Sequence, residues 1–419
     1  MLANILKNKS KFTKDVFTLA SGTVVAQLLP LAVMPLLTRI YTPENFGILG
    51  YYVAAILIAS LVITGRYELA LTLPKQKRKA ADLCLFTIKL VIINTLLLFA
   101  LVGGLDYLID DWKGIDSWIY LIPLSAFFFA LYQILSFWFI SQLGFLTLSK
   151  AKITQSGTTV VFQLLIGLLI AGSLGLVIGH TVGVFISVTL LAVILFKGYK
   201  SLFSGSNFKR QLAMAKRYAR FPKFLIISHS LNAFALHGVF IMANLFLTTK
   251  YAGFFVLAYK MLTAPVSMIA SAFGDVFRQK ASEDYTSKGE CSEIYRVTFK
   301  KLLLISTAPS IVLFFAAPFL FRVAFGESWS EAGELAQTLI PMAWMMFLCA
   351  PLSSLFMIAE KQHYDLIFQV FFTVASVAPF IIYQLFEIEV LTLFVLYSGT
   401  MSLAYACNLI VSYKLARGG

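Results

Sequence analysis

The sequence predicts an all-α polytopic membrane protein, with about twelve transmembrane helices in two six-helix bundles related by a parallel pseudo-repeat. Three observations carry that expectation. Of 419 residues, 59% are apolar and only 13% charged, against roughly 25% charged in soluble domains. The charges that do occur gather between long uncharged runs. Lysine and arginine are also shared very unevenly between alternate connections. The first observation alone excludes a soluble enzyme, a secreted domain and a disordered chain. The net charge of +14 would point to nucleic acid only if the basic residues shared one wet face. Their positions therefore decide what that charge means.

A helix needs about 20 apolar residues to cross a bilayer. Uncharged apolar runs fall at 16–37, 46–64, 83–105, 117–140, 153–172, 176–196, 224–247, 251–273, 302–321, 335–359, 366–386 and 390–412. Lys7, Lys9, Lys11 and Lys14 precede the first run as they would in a signal peptide. The run continues to Leu37 without a small-residue cleavage site, which predicts a retained helix. Within it, Pro30 and Pro35 predict a bend below Thr23 and Gln27. At the end of the second run, Ser60, Thr64 and Glu68 share one face at i, i+4 spacing, and Arg66 stands beside Glu68. Lys89 lies about two turns inside the third run, within snorkelling reach of the surface.

The stretch 153–196 contains no Asp, Glu, Lys or Arg, and as one helix it would be about 66 Å long. It must fold back, and the glycine-rich 171–175 is the natural turn. Beyond it, Phe208, Leu212, Ala215 and Ala219 recur at helical spacing among six basic residues of 208–223. That pattern fits an amphipathic helix on anionic lipid, with a solvated linker as the alternative. In the seventh run His229, Asn232, His237 and Asn244 occupy one broad arc. They would line an aqueous cavity or serve helix-to-helix hydrogen bonds. The eight-residue gap between the two histidines is not the i, i+4 spacing of helical metal ligands.

Lys260 sits in the middle of the eighth run, too deep for easy snorkelling, with Gly253, Val256, Thr263, Ser267 and Ser271 at three- and four-residue steps. Ionisable groups inside spans are functional candidates by default. That stripe suggests a cavity-facing surface, and a structural ion pair is the alternative. The segment 274–301 mixes acids and bases as a solvated linker would.

With the N-terminus placed inside, 28 of the 34 lysines and arginines fall on that side, and only Arg39, Lys113, Lys250 and Arg322 outside. Acidic residues divide evenly, ten to each side, so the bias is cationic, as the positive-inside rule requires. Both termini are expected in the cytoplasm. The basic loop at the midpoint suggests an N-terminal bundle over 1–205, a basic amphipathic linker over 206–223 and a C-terminal bundle over 224–419. A weak echo links the halves: Leu37, Thr38, Tyr41, Gly47 and Tyr51 in the first, Leu247, Thr248, Tyr251, Gly253 and Tyr259 in the second.

Outward loops are no longer than about 13 residues under this topology, too short for a structured catalytic site outside the bilayer. No phosphate-cradling glycine loop and no HExxH helix occurs, and the four cysteines lie far apart without CxxC spacing. An enzyme is disfavoured, and no cofactor or metal is expected.

The run LTRIYTPENFG at 37–47, followed by GRYELALTLP at 65–74, resembles the polysaccharide flippases of the multidrug/oligosaccharidyl-lipid/polysaccharide exporter superfamily. The segment from Tyr251 to Lys260 looks like its second-half counterpart. The resemblance spans the chain in its helices and midpoint basic loop, with its motifs concentrated in the first 75 residues. It implies export of an undecaprenyl-pyrophosphate-linked oligosaccharide across a bacterial inner membrane, for O-antigen, capsule or a related surface glycan. It also implies basic cavity residues that bind the lipid pyrophosphate. That role maps to Lys260 and Arg66, with Arg39 at the outer mouth and Lys89 as a further candidate. Glu68, His229, His237 and Asn244 are the supporting or coupling candidates.

The expected partners are the lipid-linked oligosaccharide, membrane lipids and polysaccharide polymerase machinery, and not nucleic acid. Two other readings stay open. A cation-coupled multidrug antiporter of the same superfamily should need cavity carboxylates, yet no Asp or Glu lies deep within a run. A membrane glycan polymerase or ligase conflicts with the loop lengths.

Overall fold

The computed structural model describes residues 2–108, 117–170 and 172–418. Every regular element among them is helical. In chain order these are α1 (Leu2–Ile40), α2 (Pro43–Thr64), α3 (Lys77–Leu108), α4 (Leu121–Ser141), α5 (Phe145–Leu169) and α6 (Leu174–Phe203). The short α7 (Phe208–Arg217), α8 (Ile226–Ala233) and α9 (Val239–Phe246) follow. The remainder comprises α10 (Thr249–Lys288), α11 (Ser292–Phe325), α12 (Ser330–Leu352), α13 (Leu355–Ile358), α14 (Gln362–Phe386) and α15 (Val390–Ala416).

Eleven helical segments among the described residues are long and apolar enough to cross a membrane. The expected crossing at 153–172 is the one that falls short. It belongs to α5, a helix of 25 residues, about 37 Å at 1.5 Å per residue. Length is not the obstacle; Lys150, Lys152, Gln155 and a run of serines and threonines are. α5 packs against both α1 and α6, so protein rather than lipid meets much of its polar surface. Elsewhere the outward faces are apolar: Leu304, Phe315 and Leu385 are among many large hydrophobic side chains left exposed. That distribution suits a hydrocarbon solvent.

The segment 274–301 is not a linker. α10 and α11 run through it as helices of 40 and 34 residues, joined at Gly289, whose φ of 73° gives the left-handed turn. The alternating charges that suggested solvation support the helix instead, as in the i, i+4 pair of Lys288 Nζ and Asp284 Oδ1 at 2.9 Å. Of the turn expected at 171–175, Ala171 lies outside the described residues, as does Lys113. Gly172 takes φ 102° between α5 and α6.

Two compact units divide the chain. One holds residues 1–41 and 52–230, the other 42–51 and 231–419. In the first, α1 stays helical through Pro30 and Pro35. Tyr52 Oη meets Ser125 Oγ at 2.5 Å and Thr181 Oγ1 at 2.8 Å, a buried hydroxyl cluster joining α2, α4 and α6. The Tyr41 hydroxyl donates to the Gln163 carbonyl at 2.6 Å.

In the second unit, the opening turns of α2 lie on α10. A Cβ on Gly253 would overlap the Pro43 carbonyl oxygen, and one on Gly47 the Thr249 carbonyl oxygen. The echo glycines of the two halves are thus the contact surface of two closely crossing helices. Beside them Phe46 meets Trp329 edge-on at 5.1 Å, and Phe255 stacks on Phe394 at 5.0 Å.

Candidate functional site

The first unit gathers three of the candidates in one place. α2 ends at Thr64 because Gly65 and Arg66 are both left-handed, at φ 60° and 58°. The chain then enters the 3₁₀ helix Tyr67–Thr72. Glu68 therefore lies outside the α-helix that carries Ser60 and Thr64, yet its side chain stays beside Thr64, and all three side chains are fully buried. The turn aims Arg66 Nη1 at Glu68 Oε1, 3.0 Å away, and Nη2 donates to His229 Nδ1 of α8 at 2.5 Å. The Arg66 side chain keeps 12% exposure. Burial raises the Glu68 carboxyl above the usual carboxylate range, and the Arg66 charge opposes that rise. The cluster is largely self-compensating: a buried carboxylate answers a buried guanidinium.

The second unit holds Lys260 and His237. His237 belongs to a π-helical turn, Phe234–Gly238, between α8 and α9. A π turn carries an extra residue, which shifts the register and breaks the single arc expected of His229, Asn232, His237 and Asn244. Asn244 faces α2 instead and donates to the Gly47 carbonyl at 3.0 Å. His237 lies within electrostatic reach of Lys260. Among the described residues Lys260 has no carboxylate partner and no side-chain hydrogen bond.

The small stripe around Lys260 also divides. Gly253 and Val256 are packed on α2, where Val256 fills the space over Gly50, and the Thr263 hydroxyl donates to the Tyr259 carbonyl at 2.7 Å. Ser267 and Ser271 line a cavity of about 440 Å³ that also holds Asp275, Arg278 and Asp365.

Within the first unit, Lys89 and Arg39 do not join the Arg66 cluster. Lys89 Nζ donates to Gln211 Oε1 at 3.0 Å and lies 5.5 Å over the Phe208 ring, tying α3 to α7. α7 is amphipathic as expected, capped by Asn207 Oδ1, which accepts from the Arg210 N–H at 2.9 Å. Its buried face is Gln211, Met214 and Ala215, with Phe208 exposed. The buried residue that draws it in is Asp82 of α3, 3.2 Å from Arg210 Nε. Arg39, in the last turn of α1, is exposed.

All four cysteines are free, and burial pushes the Cys291 thiol up to about 11. The sequence candidates do not include Asp275, which lies in the segment expected to be a linker, nor Asp365 or Lys152.

A profile of polysaccharide biosynthesis proteins matches residues 12–277. No curated protein sequence matches the chain. Among solved structures, the chain is similar to a lipid II flippase, MurJ, in an inward closed conformation, with TM-score 0.70 at 12% identity over 96% of this chain and 87% of that one. It is likewise similar to an inward-facing multidrug resistance MATE transporter of the MOP superfamily, with TM-score 0.62, 14% identity and coverage of 95% and 93%. A MOP-superfamily transporter from Pyrococcus furiosus, described by the reverse polarity of its binding pocket, gives 0.56 at 13% identity over 96% and 95%. At such identities the likeness is one of fold.

Proposed function

The chain belongs to the polysaccharide biosynthesis protein family, and from that membership we propose that it is a flippase for an undecaprenyl-pyrophosphate-linked oligosaccharide. It would carry an O-antigen, capsule or related repeat unit across the inner membrane of a bacterium by alternating access, with both termini in the cytoplasm. The observation that carries the reading is Lys260. A pyrophosphate cannot enter hydrocarbon without counter-charge, and an ammonium within a span is itself expensive unless something anionic meets it. No carboxylate of the described residues meets Lys260, and in this reading the lipid pyrophosphate supplies the missing counter-charge. A lysine offers a compact cation with three donors to whichever phosphate oxygens arrive. Arg66 is less available, because a phosphate would have to displace Glu68 from it. The lipid tail stays in the bilayer throughout, which leaves the protein only the headgroup to solvate.

The test is complementation of a strain lacking the protein, reading surface glycan at matched protein levels. Lys260→Ala should lower surface glycan by about tenfold or more, the scale of one lost charge-assisted contact, and Lys260→Arg should retain most of it. Full restoration by the alanine variant would remove Lys260 from pyrophosphate binding.

The second reading, a cation-coupled multidrug antiporter, is favoured by the carboxylates of Asp275 and Asp365 in one cavity. It predicts drug efflux from proteoliposomes that collapses in Asp365→Asn, an activity the flippase reading does not require.

A further inference from the structure

The polarity that keeps α5 from reading as a membrane span is concentrated where it faces α1. Within the first unit, Thr23, Gln27 and Pro30 of α1 and Lys152, Gln155 and Ser156 of α5 line a cleft of about 320 Å³. Backbone chemistry holds its two walls together. Pro30 has no N–H, so the Ala26 carbonyl four residues earlier loses its helical donor. The Ser156 hydroxyl takes that place, donating to Ala26 O at 2.6 Å.

Lys152 Nζ donates to Thr23 Oγ1 at 2.9 Å, which leaves two of the three ammonium hydrogens for something else. The amides of Gln27 and Gln155 make no side-chain hydrogen bond among the described residues. No carboxylate lines the cleft. The uncharged apolar run of α1 begins at Val16, which puts Thr23 about 10 Å and Pro30 about 21 Å along it at 1.5 Å per residue. At that depth lipid tails cannot satisfy two amides and a cation.

We propose that this α1–α5 cleft is a glycan subsite that holds an acidic sugar of the translocated headgroup, an assignment that rests on the flippase reading above. Amides and hydroxyls suit ring hydroxyls, which both give and take hydrogen bonds. The lysine suits a sugar carboxylate through a charge-assisted bond. A neutral sugar would leave that cation in a carboxylate-free cleft without counter-charge.

The experiment measures equilibrium binding to the full chain in phosphatidylethanolamine nanodiscs. The probes are undecaprenyl-pyrophosphate-linked disaccharides ending in glucuronic acid or in glucose, with undecaprenyl pyrophosphate and phosphatidylglycerol alongside. The wild type should prefer the glucuronyl probe by roughly tenfold. Lys152→Gln should abolish that preference while leaving the glucosyl affinity in place, and Lys152→Arg should keep it. A wild type with no preference, or a preference that survives Lys152→Gln, overturns the subsite. If Lys152→Gln weakens sugar-free undecaprenyl pyrophosphate just as much, Lys152 serves the pyrophosphate and the sugar assignment falls.

Gln27→Leu, on the exposed wall, supplies a second reading should Lys152→Gln not fold. Both saccharide lipids should then bind several-fold more weakly with the preference intact, and unchanged binding of both would overturn the subsite. If neither saccharide lipid outbinds phosphatidylglycerol in the wild type, the flippase reading itself fails and the subsite goes with it. Failure of the subsite alone leaves strong binding of both saccharide lipids.

Discussion

Arg66 occupies a left-handed backbone conformation that costs an ordinary residue about 1–2 kcal/mol, and it is held there between a fully buried Glu68 and His229. Strain of this kind persists only where the surroundings over-determine it. Removing one member of a buried pair costs more than the pair gains, because the partner is left as an uncompensated charge. Arg66→Met should therefore lower stability by about 3–5 kcal/mol, read as the unfolding midpoint in detergent, with Glu68→Gln milder. The double variant Arg66→Met/Glu68→Leu should recover most of the loss. A single Arg66→Met variant as stable as wild type would mean that Glu68 does not depend on the guanidinium. The sequence displays Arg66 and Glu68 as neighbours two residues apart. It could not display His229, because a contact across 163 residues is created by the packing of α8 and not by any local pattern.

Helices α2 and α10 meet through Gly47 and Gly253, where any Cβ would strike a backbone carbonyl of the other helix. Backbone cannot yield as a flexible side chain can, so Gly253→Val should cost at least the roughly 1–3 kcal/mol of an overpacked core. It should also reduce the folded yield. Gly399→Ala in α15, which has nothing within 4 Å, is the control and should be neutral to slightly stabilising. Equal thermal stability of the two variants would rule out close packing as the role of Gly253. The stripe that seemed to mark a cavity was legible as a face of small residues, but small residues serve helix contact as readily as they line a pocket. Which use prevails depends on what stands opposite, and that is α2 at Gly253 and the Asp275 cavity at Ser267. The π turn at Phe234–Gly238 misled in a different way, since 3.6-residue spacing assumes a helix that never changes its winding.

For the whole molecule, the lysine and arginine asymmetry predicts an orientation that fusions can check. Alkaline phosphatase joined at Gly326 should be active in the periplasm and inactive when joined at Gly205, and a fluorescent protein at the C-terminus should be bright. Phosphatase activity at Gly205 would reverse the proposed orientation. By itself the sequence determined the class of molecule and nearly all of its crossings, because solvent preference is additive along a chain: long uncharged runs cannot stay in water, whatever their neighbours. It also singled out Arg66 and Lys260, since a cation beside or inside such a run is costly in any fold. Only the tertiary structure decided which cations are answered. Arg66 is neutralised by Glu68, Lys89 is engaged by Gln211, Lys152 shares a polar cleft with α1, and Lys260 has no carboxylate or hydrogen-bond partner among the described residues. Pairing is a property of distance in space, and the hydrophobic pattern that places each helix in the membrane says nothing about which helix it will face.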